Sequence, residues 1–283
     1  MKRIFISGAT GFIGSYFLDL ALNSNLEVLA LRRNEISRPK IQIKKEPKWV
    51  TKNILALEEN DFKNCDVFAH FAFAGVLPQK VNFEEMIRNN LISTLKALEC
   101  AANSGVKRII LAGSCHEYGC INLDEQPIKA DARLNPLNSY GFLKAAIFVL
   151  AKDICKKHNL ELFHGRIFSA FGEGQFNRNF WPSLKNAALK GQDFRMTEGN
   201  QILDFIRVEE VAQEFLDATL RNDLKSGKVC IKNIGTGKAT KLVDFAMSEW
   251  SRLNATGKLL PGQLNSLTDK ICNYIPDLEE KFL

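Results

Sequence analysis

A short apolar run, Arg3-Ile4-Phe5-Ile6-Ser7, enters a turn with glycines at positions 8, 11 and 14, and a helical apolar pattern (Ile13, Phe17, Leu18, Ala21, Leu22) follows at once. Strand, glycine turn and helix in that order constrain the fold more than any other feature of the chain. Such a turn lets backbone approach a pyrophosphate, and the helix presents free N–H groups and the positive end of its dipole to that charge. A Cβ would block the approach or forbid the positive φ of the turn. The feature points to dinucleotide binding, with Gly8, Thr10, Gly11, Phe12, Ile13 and Gly14 as the cradle.

The pattern continues in kind. Apolar runs at Arg3–Ser7, Glu27–Leu31, Asp66–Phe71, Arg108–Ala112 and Glu161–Arg166 alternate with helical stretches, the clearest at Phe83–Asn103 and Tyr140–His158. Alternating βα units predict an α/β fold, a Rossmann-like, doubly wound parallel sheet covered on both faces, with ligands beyond the carboxyl ends of the strands. Residues 1–166 are expected to form the dinucleotide-binding domain, with 204–235 packing back on it. Residues 167–283, broken by Gly172, Gly174, Gly191, Gly199, Gly235 and Gly237, are expected to supply a smaller α/β substrate-binding domain. Helices are expected there near Phe180–Lys190, Glu209–Arg221 and Leu242–Asn254, and a strand near Val229–Asn233.

Composition narrows the partners. The 283 residues are 46% hydrophobic and 25% charged, as in an ordinary soluble globular protein, and no apolar run approaches transmembrane length. With the glycine motif this close to residue 1, the chain is expected to be cytoplasmic, with no membrane partner. A net charge of +6 suits solubility or an anionic ligand, and no zinc finger or dense basic stripe points to nucleic acid. Seven cysteines form no CxxC pair and no zinc spacing, so reduced, mostly packed thiols and no metal are expected.

On the cofactor side, Arg32 and Arg33 follow the second strand where an NAD-preferring chain places an acidic residue for the ribose 2′-OH. A guanidinium fork suits a 2′-phosphate, so NADP is expected, with NAD as the alternative. Asn53 and Ile54, and Phe71, Ala72 and Ala74 at the end of the third run, complete the expected wall, small residues there letting a flat cofactor lie against backbone. His70 is expected to be a satisfied core histidine. Asn90 is expected to serve the cofactor edge, or to brace it.

On the catalytic side, Tyr140 and Lys144 stand one helical turn apart on one face. A phenol with an ordinary pKa of about 10 needs a nearby cation, and an oxidised nicotinamide, to work near neutrality. Upstream, Ser114 ends another buried strand, and its hydroxyl with Tyr140 would hold a carbonyl or alkoxide while hydride moves.

With Gly8, Gly11 and Gly14, the Asp66-to-Ala74 strand, Asn90, Ser114 with Tyr118-Gly119, Tyr140 with Lys144, Arg166-to-Gln175 and Asp204-to-Ala212, the chain resembles the extended short-chain dehydrogenase/reductase family, in its nucleotide-sugar epimerase/dehydratase group. The likeness runs over roughly residues 3–235. It implies a Rossmann domain with a small substrate domain, a homodimer, Ser114, Tyr140 and Lys144 as the catalytic trio, and Phe168 beside the cofactor. Family dehydratases carry an acidic pair after the catalytic hydroxyl residue, whereas this chain has Cys115 and His116, so sugar 4,6-dehydration is not expected. His116 could move a proton beside a ketone, or merely fill the loop.

The chain also departs from the family at Leu203-Asp204-Phe205 and Pro261-Gly262-Gln263, where diphosphate-binding arginines are expected. Arg178, Arg207, Asn177 and Asn179 are candidate replacements on the substrate side, with Lys185, Arg195 and Lys258 as further cations. The expected activity is NADPH-dependent reduction of a 4-keto group on a nucleotide-activated deoxysugar. An NAD-retaining nucleotide-sugar epimerase is the alternative, and a non-catalytic dinucleotide sensor the rival of another class.

Overall fold

The computed structural model describes residues 1–75, 82–265 and 272–283. The chain opens with β1 (Lys2–Ser7), α1 (Phe12–Asn23), β2 (Leu26–Arg32), β3 (Lys48–Thr51) and β4 (Val67–His70). A continuous helical segment follows: α2 (Phe83–Met86), a π turn over Ile87–Ile92, and α3 (Ser93–Asn103). Then come β5 (Arg108–Ser114), α4 (Ser139–Lys157) and β6 (Glu161–Ile167). The remainder holds β7 (Ser169–Phe171), α5 (Phe180–Leu189), β8 (Phe194–Arg195), β9 (Ile202–Leu203), β10 (Phe205–Arg207) and α6 (Val208–Leu220). It ends with β11 (Val229–Ile234), β12 (Thr240–Lys241), α7 (Leu242–Arg252), β13 (Leu259–Leu260) and β14 (Lys281–Phe282).

Eight strands form the main sheet in the order β14-β11-β6-β5-β4-β1-β2-β3, parallel throughout except for β14. The fold is therefore Rossmann-like. Ile4, Phe5 and Ile6 are fully buried in succession, because helices cover both faces of the sheet. On one face Phe17, Leu18 and Ala21 of α1 meet Val211 and Phe215 of α6. On the other, Ala97, Leu98 and Ala101 of α3 meet Ile147, Phe148 and Ala151 of α4. Strand order reverses between β1 and β4, and the crevice beyond their carboxyl ends is where such sheets take ligands.

A second cluster holds α5 against α7 through Phe171, Trp181, Leu184, Phe245 and Trp250, and Phe205 stacks on Phe245 at 3.8 Å. The strand β11 and helix α6 belong to the main sheet's layers, and the last residues also return to it as the edge strand β14. The strands β3 and β14 carry no strong apolar alternation and were not expected from the sequence.

Cysteine usage differs from expectation. Cys120 and Cys272, 152 residues apart, are joined in a disulfide with Cα atoms 5.0 Å apart, while the other five thiols are free. The fold, not any local spacing, brings that pair together.

Candidate active site

The turn after β1 is shaped by contact. Gly8 has φ +76°, and a Cβ on it would lie 2.4 Å from the Ala72 nitrogen, so β1 and β4 approach backbone to backbone at the crevice. A Cβ on Gly14 would lie 2.1 Å from the Gly8 carbonyl oxygen. The helix α1 begins with Gly11 as N-cap and no side-chain cap, which leaves its first N–H groups for an anion. A groove of about 790 Å³ runs over this turn, lined by Gly8, Thr10, Gly11, Phe12, Ile13, Gly14, Arg33, Ile54, Phe71, Ala72, Ala74, Tyr140 and Lys144. Asn53 lines an adjoining cavity of about 650 Å³ at the far end. A backbone cradle with no room for a Cβ, an uncapped helix start and a long groove fit a dinucleotide.

Three residues of the expected cofactor set stand elsewhere. Arg32 turns away: its Nε donates to Thr51 Oγ1 at 2.9 Å and its guanidinium lies over Trp49 at 5.2 Å. Successive strand side chains face opposite sides, so two adjacent arginines at the end of β2 do not both reach the groove. Asn90 is buried with its amide already engaged, for Oδ1 accepts from Ala74 N at 2.7 Å and Nδ2 donates to Ala74 O at 3.0 Å and Met86 O at 2.9 Å. It braces the chain after β4, the second of the two roles expected for it. Phe168 is buried beside the substrate-side cavity, not the groove.

Sequence reasoning missed Asn34, Ser37 and Lys52, which join Arg33 and Asn53 at the far end with no carboxylate among the lining residues. Lys52 is held by Asp61 at 2.9 Å. His70 is a core residue as expected, its Nδ1 at 2.7 Å from Ser7 Oγ and its Nε2 at 2.9 Å from Thr94 Oγ1. Burial pushes its pKa down to about 3.

At the middle of the groove, β5 and α4 bring Ser114, Tyr140 and Lys144 together. Ser114 ends β5, and its Oγ accepts from the His116 N–H at 3.2 Å. Tyr140 opens α4 beside it, with Asn138 capping the helix through Gly141 N at 2.9 Å. Burial pushes the Tyr140 phenol up to about 12, and the neighbouring Ser114 hydroxyl pulls the other way. Lys144, one turn on, donates from Nζ to the Ala112 carbonyl at 2.7 Å and lies 4.7 Å from the Phe73 ring centroid. Burial lowers its pKa to about 8, with Glu117 opposing. The sequence expectation joins this lysine to an oxidised nicotinamide; in the protein by itself burial is the larger influence on the phenol.

A second cavity, about 590 Å³, opens on the other side of Tyr140 and is lined by Ser114, His116, Ser169, Gln175 and Asn179, among others. The His116 ring packs edge-on to Tyr140 at 5.7 Å and against Tyr274 at 5.6 Å. Although its surface is open to the cavity, the enclosing walls lower its pKa, which favours the neutral ring. Cys115 is buried and its thiol is pushed up to about 12, which suits a packed thiol and not a nucleophile.

Asn179 is where the sequence placed it, but Asn177, Arg178 and Arg207 line neither cavity. The Arg207 guanidinium lies over Phe171 at 5.5 Å. Gln175, which borders both cavities and donates from Nε2 to Ala170 O at 3.1 Å, was overlooked as a site residue. Its place after Gly172 and Gly174, in a turn facing the sheet's open edge, was the available signal. Among the described residues no cluster of three or more His, Cys, Asp or Glu could hold a metal, and no helix is long and apolar enough to cross a membrane.

The model of the NAD dependent epimerase/dehydratase family matches residues 4–235. The chain belongs to that family. UDP-arabinose 4-epimerase 1 of Arabidopsis thaliana is 25% identical over 279 residues, covering 87% of this chain. The chain spans only 66% of that relative's length. Among solved structures, MoeE5 in complex with UDP-glucuronic acid and NAD is 27% identical with a TM-score of 0.81, over 98% of this chain and 90% of that one. A UDP-N-acetylglucosamine 4-epimerase of Methanobrevibacter ruminantium, in complex with UDP-N-acetylmuramic acid, has a TM-score of 0.87 at 21% identity, over 98% of this chain and 89% of that one. That likeness speaks to the fold.

Proposed function

We propose that the protein interconverts C4 epimers of a UDP-sugar with a dinucleotide that stays in the groove. The observation that carries this reading is the place of Tyr140, which forms part of the wall of both the groove and the substrate-side cavity, with Lys144 beside it on the first and Ser114 on the second. The names of the relatives, among them 4-epimerases of UDP-sugars, support it. Residues 167–203 and 236–265 then serve the sugar nucleotide.

When bound, the nicotinamide supplies a reversible hydride acceptor over C4. Tyr140 takes the proton of the O4 hydroxyl as the C4–H bond breaks, and returns it when C4 is reduced from its other face. Ser114 donates a hydrogen bond to O4, where negative charge grows. Lys144, fixed by Ala112 at the cofactor side, would stabilise the Tyr140 phenolate that accepts the O4 proton and is restored when the proton is returned, and would bind the nicotinamide ribose. His116, neutral and on the cavity wall, orients the sugar.

A second reading, NADPH-dependent reduction of a 4-keto sugar, is favoured by one observation: Arg33, Asn34 and Ser37 line the ribose end with no carboxylate beside them. One test separates the two. The purified protein is denatured and its dinucleotide identified, and intact protein is then offered UDP-glucuronic acid, UDP-N-acetylglucosamine and UDP-arabinose. Retained NAD with C4 epimers formed and no net oxidation supports the epimerase. An empty protein that prefers NADPH and turns over none of the three sinks it.

We also infer a homodimer. Phe142, Val149 and Leu150 of α4 are 55%, 50% and 39% exposed, with Ile92 50% exposed on the neighbouring π turn, an apolar stripe suited to a second copy. Sedimentation as a monomer at working concentration would remove this inference.

A further inference from the structure

The Ser114 loop is underlain by a buried charge that hydride transfer does not use. Glu117 closes the turn after Ser114 and points back beneath it, with no exposed surface. Its Oε1 accepts the Ser114 N–H at 2.9 Å, and its Oε2 accepts from Arg166 Nε at 2.6 Å. His164 Nε2 lies 3.1 Å from both oxygens. Arg166, also buried, donates from Nη1 to Ala130 O at 2.7 Å and to the Tyr118 hydroxyl at 3.0 Å. That hydroxyl in turn donates to Asn233 Oδ1 at 2.6 Å. A Cβ on Gly113 would lie 2.6 Å from Glu117 Oε1, so the strand leaves space for the carboxylate.

Stability is a poor reason for such a pair, because well-packed apolar residues often replace a buried ion pair without loss. What an apolar side chain could not do is accept the Ser114 N–H. Both handles of Ser114 are then held from within its own turn: Glu117 takes its N–H, and its Oγ accepts from His116 N. One acceptor lone pair of Oγ is thereby used, and its proton and second lone pair remain for Tyr140 or a substrate oxygen.

We propose that Glu117 is a positioning residue for the Ser114 hydroxyl, the Glu117–Arg166 pair holding the Ser114 peptide so that Oγ meets Tyr140 and the reacting sugar oxygen. The inference rests on the reading of Ser114 and Tyr140 given above. Nothing in the family match or in the relatives' names assigns this role.

A mutant cycle on the full chain tests it, with the same three UDP-sugars as probes. Glu117→Asp keeps the charge but retracts the carboxylate, Ser114→Ala removes the hydroxyl, and the double variant combines them. Alone, Glu117→Asp is expected to lower kcat about tenfold, with KM and retained dinucleotide changed by less than about twofold. In the Ser114→Ala background it should add less than about twofold, because its target is gone. Losses that multiply, or a KM effect without a kcat effect, overturn the inference while leaving the epimerase reading intact. If Ser114→Ala leaves kcat unchanged, or the parent chain turns over none of the probes, the reading itself falls and the inference with it. Should Glu117→Asp fail to fold, Glu117→Gln takes its place in the cycle. If neither folds, Glu117 serves the fold and the inference is overturned.

Discussion

Lys144 donates its ammonium to the carbonyl of Ala112 at 2.7 Å, two residues before Ser114, so the lysine is anchored to the strand that carries the serine. The Tyr140–Lys144 helix and the Ser114 strand are thus joined by a side-chain bond one helical turn from Tyr140. Tyr140→Phe removes the proton carrier while leaving the ring in the pocket beside Phe73 and His116. Turnover of the UDP-sugars is expected to fall by about 10²–10⁴-fold, as for loss of a general acid–base group, with retained dinucleotide unchanged. Unchanged turnover would reassign the chemistry away from Tyr140.

The glycine turn makes a graded prediction. Gly14→Ala places a Cβ 2.1 Å from the Gly8 oxygen, and Gly8→Ala meets Ala72 N at 2.4 Å with φ at +76°. Gly11→Ala comes no closer than 3.1 Å to the Gly8 oxygen. Strain at the left-handed Gly8 alone costs about 1–2 kcal/mol; the Gly8 clash must push the turn from the chain after β4, and the Gly14 clash must push α1 from the turn. Dinucleotide content measured after purification should therefore drop sharply for Gly8→Ala and Gly14→Ala and least for Gly11→Ala. Equal retention in all three would show that the turn is not the pyrophosphate cradle.

Much of this site was legible because its signals are local. The glycine spacing, Ser114 at the end of an apolar strand and Tyr140 one turn before Lys144 each depend on a few neighbouring residues; the fold brings the glycines, Tyr140 and Lys144 to one groove and Ser114 to the cavity that Tyr140 also lines. What escaped depends on side-chain direction or on distant partners. Arg32 and Arg33 look alike in sequence, but strand alternation sends one to Thr51 and Trp49 and the other to the groove. Asn90 is a polar helix residue until its oxygen and one N–H are seen to be bound by Ala74 after β4 and its other N–H by Met86. Glu117 follows β5 whereas His164 and Arg166 lie two apart on β6, and no spacing announces that the carboxylate meets them. The Cys120–Cys272 pair has the same character.

The two arginines separate cofactor recognition from surface packing. Arg33 lines the ribose end, whereas Arg32 is tied to Thr51 and Trp49. If a 2′-phosphate is bound there, Arg33→Ala should weaken NADP by about ten- to a hundredfold, the range of a charge-assisted hydrogen bond, and leave NAD nearly unchanged. Arg32→Ala should change neither affinity, and stability by about 0.5 kcal/mol or less. Calorimetric titration of dinucleotide-free protein reads all four combinations. An NADP affinity that ignores Arg33 would remove the one observation favouring the ketoreductase.

His70 makes the fold sensitive to acid, and the sign can be worked out. Held between Ser7 and Thr94, it has a pKa of about 3 in the folded chain, against an ordinary value of about 6.5 when unfolded. Between those values the unfolded state binds more protons, so stability rises with pH there. The contribution is fully present above about pH 6.5 and is lost as pH falls toward 3, at up to about 1.4 kcal/mol per pH unit. Glu117, held down to about 2 by His164 and Arg166 against the cost of burial, acts in the same direction but lower, from its ordinary carboxylate range downward. Urea midpoints measured from pH 7 to pH 5 stay above the carboxylate range and read the buried histidines, His70 together with His116 and His164, whose pKa values burial also lowers, so the variant supplies the share of His70. His70→Gln, which keeps a polar side chain for Ser7 and Thr94 but does not titrate, should flatten the decline in that interval while lowering stability at pH 7. A decline of the same slope in His70→Gln would place the acid sensitivity elsewhere in the protein.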